Sequence, residues 1–157
     1  MAYVSRGFIP QTSLASNLGF TRPMYIPAGN ATATALYDIV KVSTSGSTAD
    51  TAGVPAGLMG CVRVSDKDDV PCGVIVGFIA DPDYLNQTYR SASTARVALV
   101  NYDPQVVLEA QEDDNGTTLA VARIGTPVDL VPGSIDTVTG TSGMQISSAT
   151  LAGSPGM

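Results

Sequence analysis

Residues 72–80 read Cys-Gly-Val-Ile-Val-Gly-Phe-Ile-Ala and carry no polar side chain on either face. The stretch is far shorter than the ~20 apolar residues that cross a bilayer. Its β-branched residues suit extended chain. A strand apolar on both faces needs cover on both, so this one is expected at the centre of a sheet rather than at its edge. The rest of the chain has to supply its neighbours. Residues 36–43 alternate Leu36, Asp38, Val40 and Val42 on one face with Tyr37, Ile39 and Lys41 on the other. Further short runs at 58–65, 94–102, 104–112 and 117–125 are rich in β-branched residues, and turn signals separate them every 8–12 residues or so, as in all-β domains. No window long enough for a helix shows helical spacing. A chain of 157 residues is ample for one domain with its own core. The expectation is an all-β, single-domain antiparallel β-barrel or jelly-roll-like sandwich over residues 35–157, its last part (126–157) made of short strands or loops.

Within this domain, Val97 to Val100 is apolar on both faces and belongs deep in the core. In the next run, Val106, Leu108 and Ala110 share one face, with Val107, Glu109 and Gln111 on the other. That is the alternation of a half-buried wall, with Leu108 facing inward. Asp103-Pro104 is the expected bend between the two runs. Asn115-Gly116 is the expected tight turn of a following hairpin, its carboxylates Glu112, Asp113 and Asp114 forming a solvated tip.

Residues 1–34 behave differently. Tyr3, Val4, Phe8, Ile9, Leu14, Leu18, Phe20, Met24, Tyr25 and Ile26 recur without a clean period, and Pro10, Pro23 and Pro27 interrupt them. Prolines at that spacing exclude a helix, yet the segment is too apolar for an ordinary disordered tail. It is expected to be an extended N-terminal arm that lays these ten side chains on another surface.

Charge narrows the possible partners. Eight basic residues stand against fourteen acidic ones, for a net charge of −6. The arginines are scattered singly, and there is no Trp to stack on bases, so nucleic acid is not an expected partner. The N-terminus lacks the pattern of a secretory signal, and no membrane partner is expected. Synthesis in a cytoplasm favours reduced thiols for Cys61 and Cys72, which flank a turn and could approach across a hairpin.

Candidate chemistry is sparse. The chain has no His, which removes the commonest general base, nucleophile activator and metal ligand. Lys41 and Lys67 sit in no motif of serine catalysis. The acids fall at turns, where Asp side chains bond the nearby backbone. Residues 65–69 (Ser-Asp-Lys-Asp-Asp) and 112–116 (Glu-Asp-Asp-Asn-Gly) group oxygen ligands in the manner of calcium sites, but neither has the spacing of a helix-loop-helix calcium loop. No catalytic residue, metal or cofactor is expected, and the chain is read as a non-enzyme.

One longer pattern is informative. Residues 70–113 contain Gly-Val-Ile-Val-Gly-Phe, then Tyr-Arg-Ser-Ala-Ser-Thr, then Val-Asn-Tyr-Asp-Pro leading to the alternating Val-Val-Leu-Glu-Ala-Gln-Glu-Asp. This block, with Leu-Tyr-Asp-Ile-Val-Lys-Val before it, resembles the head decoration, or cement, proteins of tailed bacteriophages. The resemblance covers roughly residues 36–116 and the arm more loosely. It implies a β-barrel or jelly-roll-like subunit on the outer surface of an icosahedral virion. Such a subunit is synthesised in the host cytoplasm, bridges neighbouring copies of the major capsid protein and stabilises the DNA-filled head. It also implies self-association as a homodimer or homotrimer on local symmetry axes. Such chains are expected to continue with one or two further strands, whereas this one stops at Leu-Ala-Gly-Ser-Pro-Gly-Met, incomplete or closed by a partner's strand. The alternatives are a tail-tube or head–tail connector component, or a small β carbohydrate-binding or adhesion module. The last would need an aromatic platform that Tyr and Phe alone supply poorly.

Overall fold

A computed structural model describes residues 5–13, 20–48, 54–82, 85–113, 115, 119–121 and 124–151. Among these residues nine strands form, in chain order β1 (Ile9–Ser13), β2 (Thr21–Ile26), β3 (Ile39–Ser43), β4 (Gly60–Arg63), β5 (Gly73–Phe78), β6 (Arg96–Asn101), β7 (Val106–Glu109), β8 (Val128–Val131) and β9 (Gln145–Leu151). Five of them close a barrel in the order β2-β4-β3-β5-β6, and two two-stranded ladders, β1-β7 and β8-β9, complete the fold. The all-β reading holds, and the described residues contain no α-helix.

β5 lies where its composition requires, between β3 and β6. Its two faces serve two cores. Ile75 enters the barrel interior with Met24, Ile26, Val40, Cys61, Ala98 and Val100. Val74 joins an outer cluster of Phe8, Ile39, Val64 and Met144, against which Val76, Leu108, Ala110, Leu130 and Ile146 pack. A bulge between Ile75 and Gly77 shifts the register against β6 and lets Phe78 return to the inner cluster. β6 is buried along nearly its whole length, as expected of Val97 to Val100.

The boundary of the expected arm needs correction. Residues 21–26 form a barrel strand paired with β6 from Thr21↔Asn101 to Ile26↔Arg96. Met24 and Ile26 are buried in the barrel core and offer nothing to a partner. Proline concealed this strand in the sequence, and the geometry explains how Pro23 is tolerated. The Tyr25 N–H points toward β4 and donates to the Met59 carbonyl at 2.8 Å. Two residues earlier, the Pro23 nitrogen faces the same side. There β2 has no ladder, because it meets β4 only at Tyr25↔Gly60. The missing donor therefore costs no hydrogen bond. That single parallel contact closes the barrel, and Gly60 is obligatory at it: an added Cβ would lie 2.2 Å from the Ser45 carbonyl oxygen.

The chain after Asp103-Pro104 does not fold back on β6. It leaves the barrel, and β7 pairs with β1 instead. Asp103 fixes this exit: its carboxylate accepts the Gln105 N–H at 2.9 Å and the Ser13 hydroxyl. Of the strand expected over 117–125, residues 119–121, 124 and 125 are described, and none of these is in a strand. Val121 and Ile124 stand in solvent, 83% and 82% exposed, and Gly116 to Thr118 lie outside the described residues. Cys61 and Cys72 do not face each other across a hairpin either, because β3 runs between β4 and β5. Two strand spacings separate their backbones by roughly 9–10 Å, beyond what a disulfide spans, and both thiols are free.

Candidate functional site

The barrel and the outer ladders are joined by buried polar locks. Tyr37 adopts a left-handed conformation, φ 67°, which an L-residue takes only at a cost. It is held there by its own N–H donating to the Ile75 carbonyl at 2.9 Å and its carbonyl accepting the Phe8 N–H at 3.0 Å. This turn buries Asp38. Its carboxylate receives the Ala35 N–H at 2.7 Å and the Ser142 hydroxyl at 2.5 Å, and it pairs with Arg63 Nε at 2.9 Å. Arg63 in turn donates to the Gly133 carbonyl. Burial pushes the Asp38 carboxyl above its usual range, outweighing the attraction of Arg63 and the hydrogen bonds. One carboxylate thus ties the 35–38 turn, β4 and the 133–144 segment together.

A second lock uses no carboxylate. The fully buried Arg90 side chain donates Nε to the Thr94 carbonyl at 2.6 Å and Nη1 to that of Thr32 at 2.6 Å. Its Nη2 reaches the carbonyls of Pro27 and Asn30 at 2.9 and 2.8 Å. Desolvation lowers its pKa to about 10, still well above neutral pH. The planar fork of arginine staples the loop after β2 to the loop before β6, a geometry lysine cannot reproduce.

The two acidic segments also resolve as structure. In 65–69, the Asp69 carboxylate accepts the Ser65 and Asp66 N–H groups at 3.0 and 3.1 Å and pairs with Lys41 at 2.5 Å. Lys41 and these backbone groups hold its pKa down to about 2. In 112–116, Asp113 of the expected solvated tip is instead docked on β9, and Asp114 and Gly116 lie outside the described residues. Asp113 accepts the Ser148 N–H and hydroxyl at 2.7 and 2.9 Å, and its own N–H donates to the Ile146 carbonyl at 2.8 Å. Among the described residues, no group of three or more acidic or Cys side chains is placed to hold a metal.

The arm candidates scatter. Tyr3, Val4, Leu14 and Leu18 lie outside the described residues. Phe8 is buried in the outer cluster, Ile9 opens β1 opposite Glu109, Tyr25 is half-buried, and Met24 and Ile26 are core. Phe20 alone among the described six is largely exposed, at 52%. It stands 6.1 Å from the Tyr102 ring, and the Arg22 guanidinium lies 5.4 Å from that same ring. This rim adjoins an apolar cavity of about 400 Å³ lined by Phe8, Val74, Tyr102, Val106, Leu108 and Leu130, among others. Sequence reasoning missed the rim and the cavity, because their residues come from β2, β3, β5, β7, β8, β9 and the loops between them.

Elsewhere, large apolar side chains remain in water. Val138 is 91% exposed, Val70 79% and Leu85 75%. Comparison with family models, curated proteins and solved structures gives no match. Among the described residues, no helix is long and apolar enough to cross a membrane.

Proposed function

We propose that the protein is a non-enzymatic virion subunit that binds the outer surface of an icosahedral phage capsid and cements neighbouring major capsid subunits. One observation carries the reading: valines, isoleucine and leucine at Val70, Leu85, Val121, Ile124 and Val138 stand free in solvent around a rigidly locked barrel. Such side chains suit surfaces that a partner covers. The low charge of the chain, 14% Asp, Glu, Lys and Arg, points the same way, since the cores of interfaces are depleted in charge. The resemblance of residues 36–116 to decoration proteins supplies the identity of the partner. A cement acts through contact area rather than through one reactive group, and repetition over a symmetric lattice raises its effective concentration. Self-association as a dimer or trimer on a local axis would add to that effect.

The test uses shells purified without the protein. The double variant Val121→Asp/Ile124→Asp removes apolar surface at side chains more than four-fifths exposed, so its circular dichroism and melting should match the parent. Its occupancy on the shells should fall at least tenfold. Parental occupancy for this variant and for Val138→Asp would overturn the reading. The arm is tested by deleting residues 2–5, because a longer deletion reaching residue 26 would remove β2 and open the barrel.

A further inference from the structure

We propose that the cavity between the barrel wall and the outer ladders binds a small amphiphile, its hydrocarbon chain between the layers and its anionic head at Arg22. The cavity, about 400 Å³, lies within the range of small-molecule sites. One wall is the outer face of the barrel at Ile39 and Val74, and the other is Val106, Leu108, Val128 and Leu130. Apolar walls give ordered water too few partners to hold it, so the space suits hydrocarbon better than solvent.

The mouth selects the head group. Tyr102 and Cys72 line the cavity. Arg22 stands beside Tyr102, its guanidinium 5.4 Å from the ring. Arg22 is exposed, and none of the ion pairs among the described residues uses it. The carboxylate inside the cavity, Asp103, is already committed to the Gln105 N–H and the Ser13 hydroxyl. Its negative charge disfavours an anion deep in the cavity and leaves the head at the rim. A fatty carboxylate of medium length meets these requirements, whereas a polar sugar or a nucleotide does not. The inference rests on the cavity and its rim, not on the capsid reading.

Calorimetric titration of the full chain at low salt, with decanoate and with uncharged decanol, tests it. Decanoate should bind saturably at one per chain, about three- to fivefold more tightly than decanol, as expected for one exposed ion pair. Arg22→Gln should erase that preference while leaving decanol binding unchanged. Val128→Phe, which fills the cavity from β8, should weaken both ligands at least tenfold. Val106→Phe does the same from β7 and serves if the first variant melts early. No saturable binding, equal affinity for the two ligands, or binding indifferent to both Phe variants would each overturn the proposal. Failure to bind either ligand, together with protection of Tyr102 on assembled shells, would make the cavity a seat for capsid side chains and would equally overturn it.

Discussion

The barrel and the outer ladders are built from the same short Val- and Leu-rich strands, yet they pack to different standards. Inside the barrel, Ile26, Val40, Ile75, Ala98 and Val100 are fully buried. In the outer layer, every residue of β8 is half-buried, and β7 alternates half-buried and exposed positions over a 400 Å³ space. The difference lies in closure. A closed barrel gives every strand two neighbours and fixes which face points inward. A two-stranded ladder is marginal by itself and depends on what it lies against. The barrel is therefore the scaffold, and the outer layer is the part free to accept something else.

The comparison fails first, if it fails, at the lock between the two regions. Asp38→Ala leaves Arg63 buried without its partner and should cost about 3–5 kcal/mol in urea unfolding. A loss under 1 kcal/mol would mean that the 133–144 segment is held by its backbone contacts alone. Next come paired truncations. Ile75→Ala, in the barrel, should cost about 3–4 kcal/mol, and Leu108→Ala, in the looser outer layer, about 1–2 kcal/mol. Equal costs would show that the two layers form one evenly packed core.

The smallest effect concerns pH. Asp69 has its pKa held down to about 2, against an ordinary 3.8. Its ionised form therefore supports the fold above the ordinary value, and that support fades as pH falls from 3.8 toward 2. Asp38 runs the other way: burial raises its pKa, so its contribution weakens as pH rises past the unfolded value. Asp69→Asn should flatten the acid limb of the melting-temperature profile. An unchanged limb would place the acid sensitivity in other carboxylates, such as Asp113 and Asp136, whose pKa values are also lowered.

How much of this was legible in the sequence follows from where each signal resides. β5 and β6 were legible because burial on both faces writes itself into every position. The Asp66–Asp69 turn was legible because its bonds are local. β2 was hidden by Pro23, whose tolerance depends on a neighbouring strand that stops short. The docking of Asp113 on Ser148 joins positions far apart in the chain, and no local pattern announces it. The cavity and its Arg22–Tyr102 rim were invisible for the same reason. The apolar period at 117–125 did not foretell the exposure of Val121 and Ile124, because alternation records what a segment could bury and not what it does bury.

The pairing of β2 with β6 has a consequence for how the molecule is made. The first strand of the barrel leaves the ribosome early and waits for residues 96–101 before its hydrogen bonds can form. Until then its apolar face, Met24 and Ile26, has no lasting shelter. Contacts so distant in sequence slow folding, and a strand kept waiting can be claimed by a neighbouring chain. Where many copies are synthesised side by side, exchange of β2 between nascent chains is the hazard this topology carries. Lengthening the loop after β3, which prolongs the wait of β2 for β6, should raise the yield of interlocked dimers.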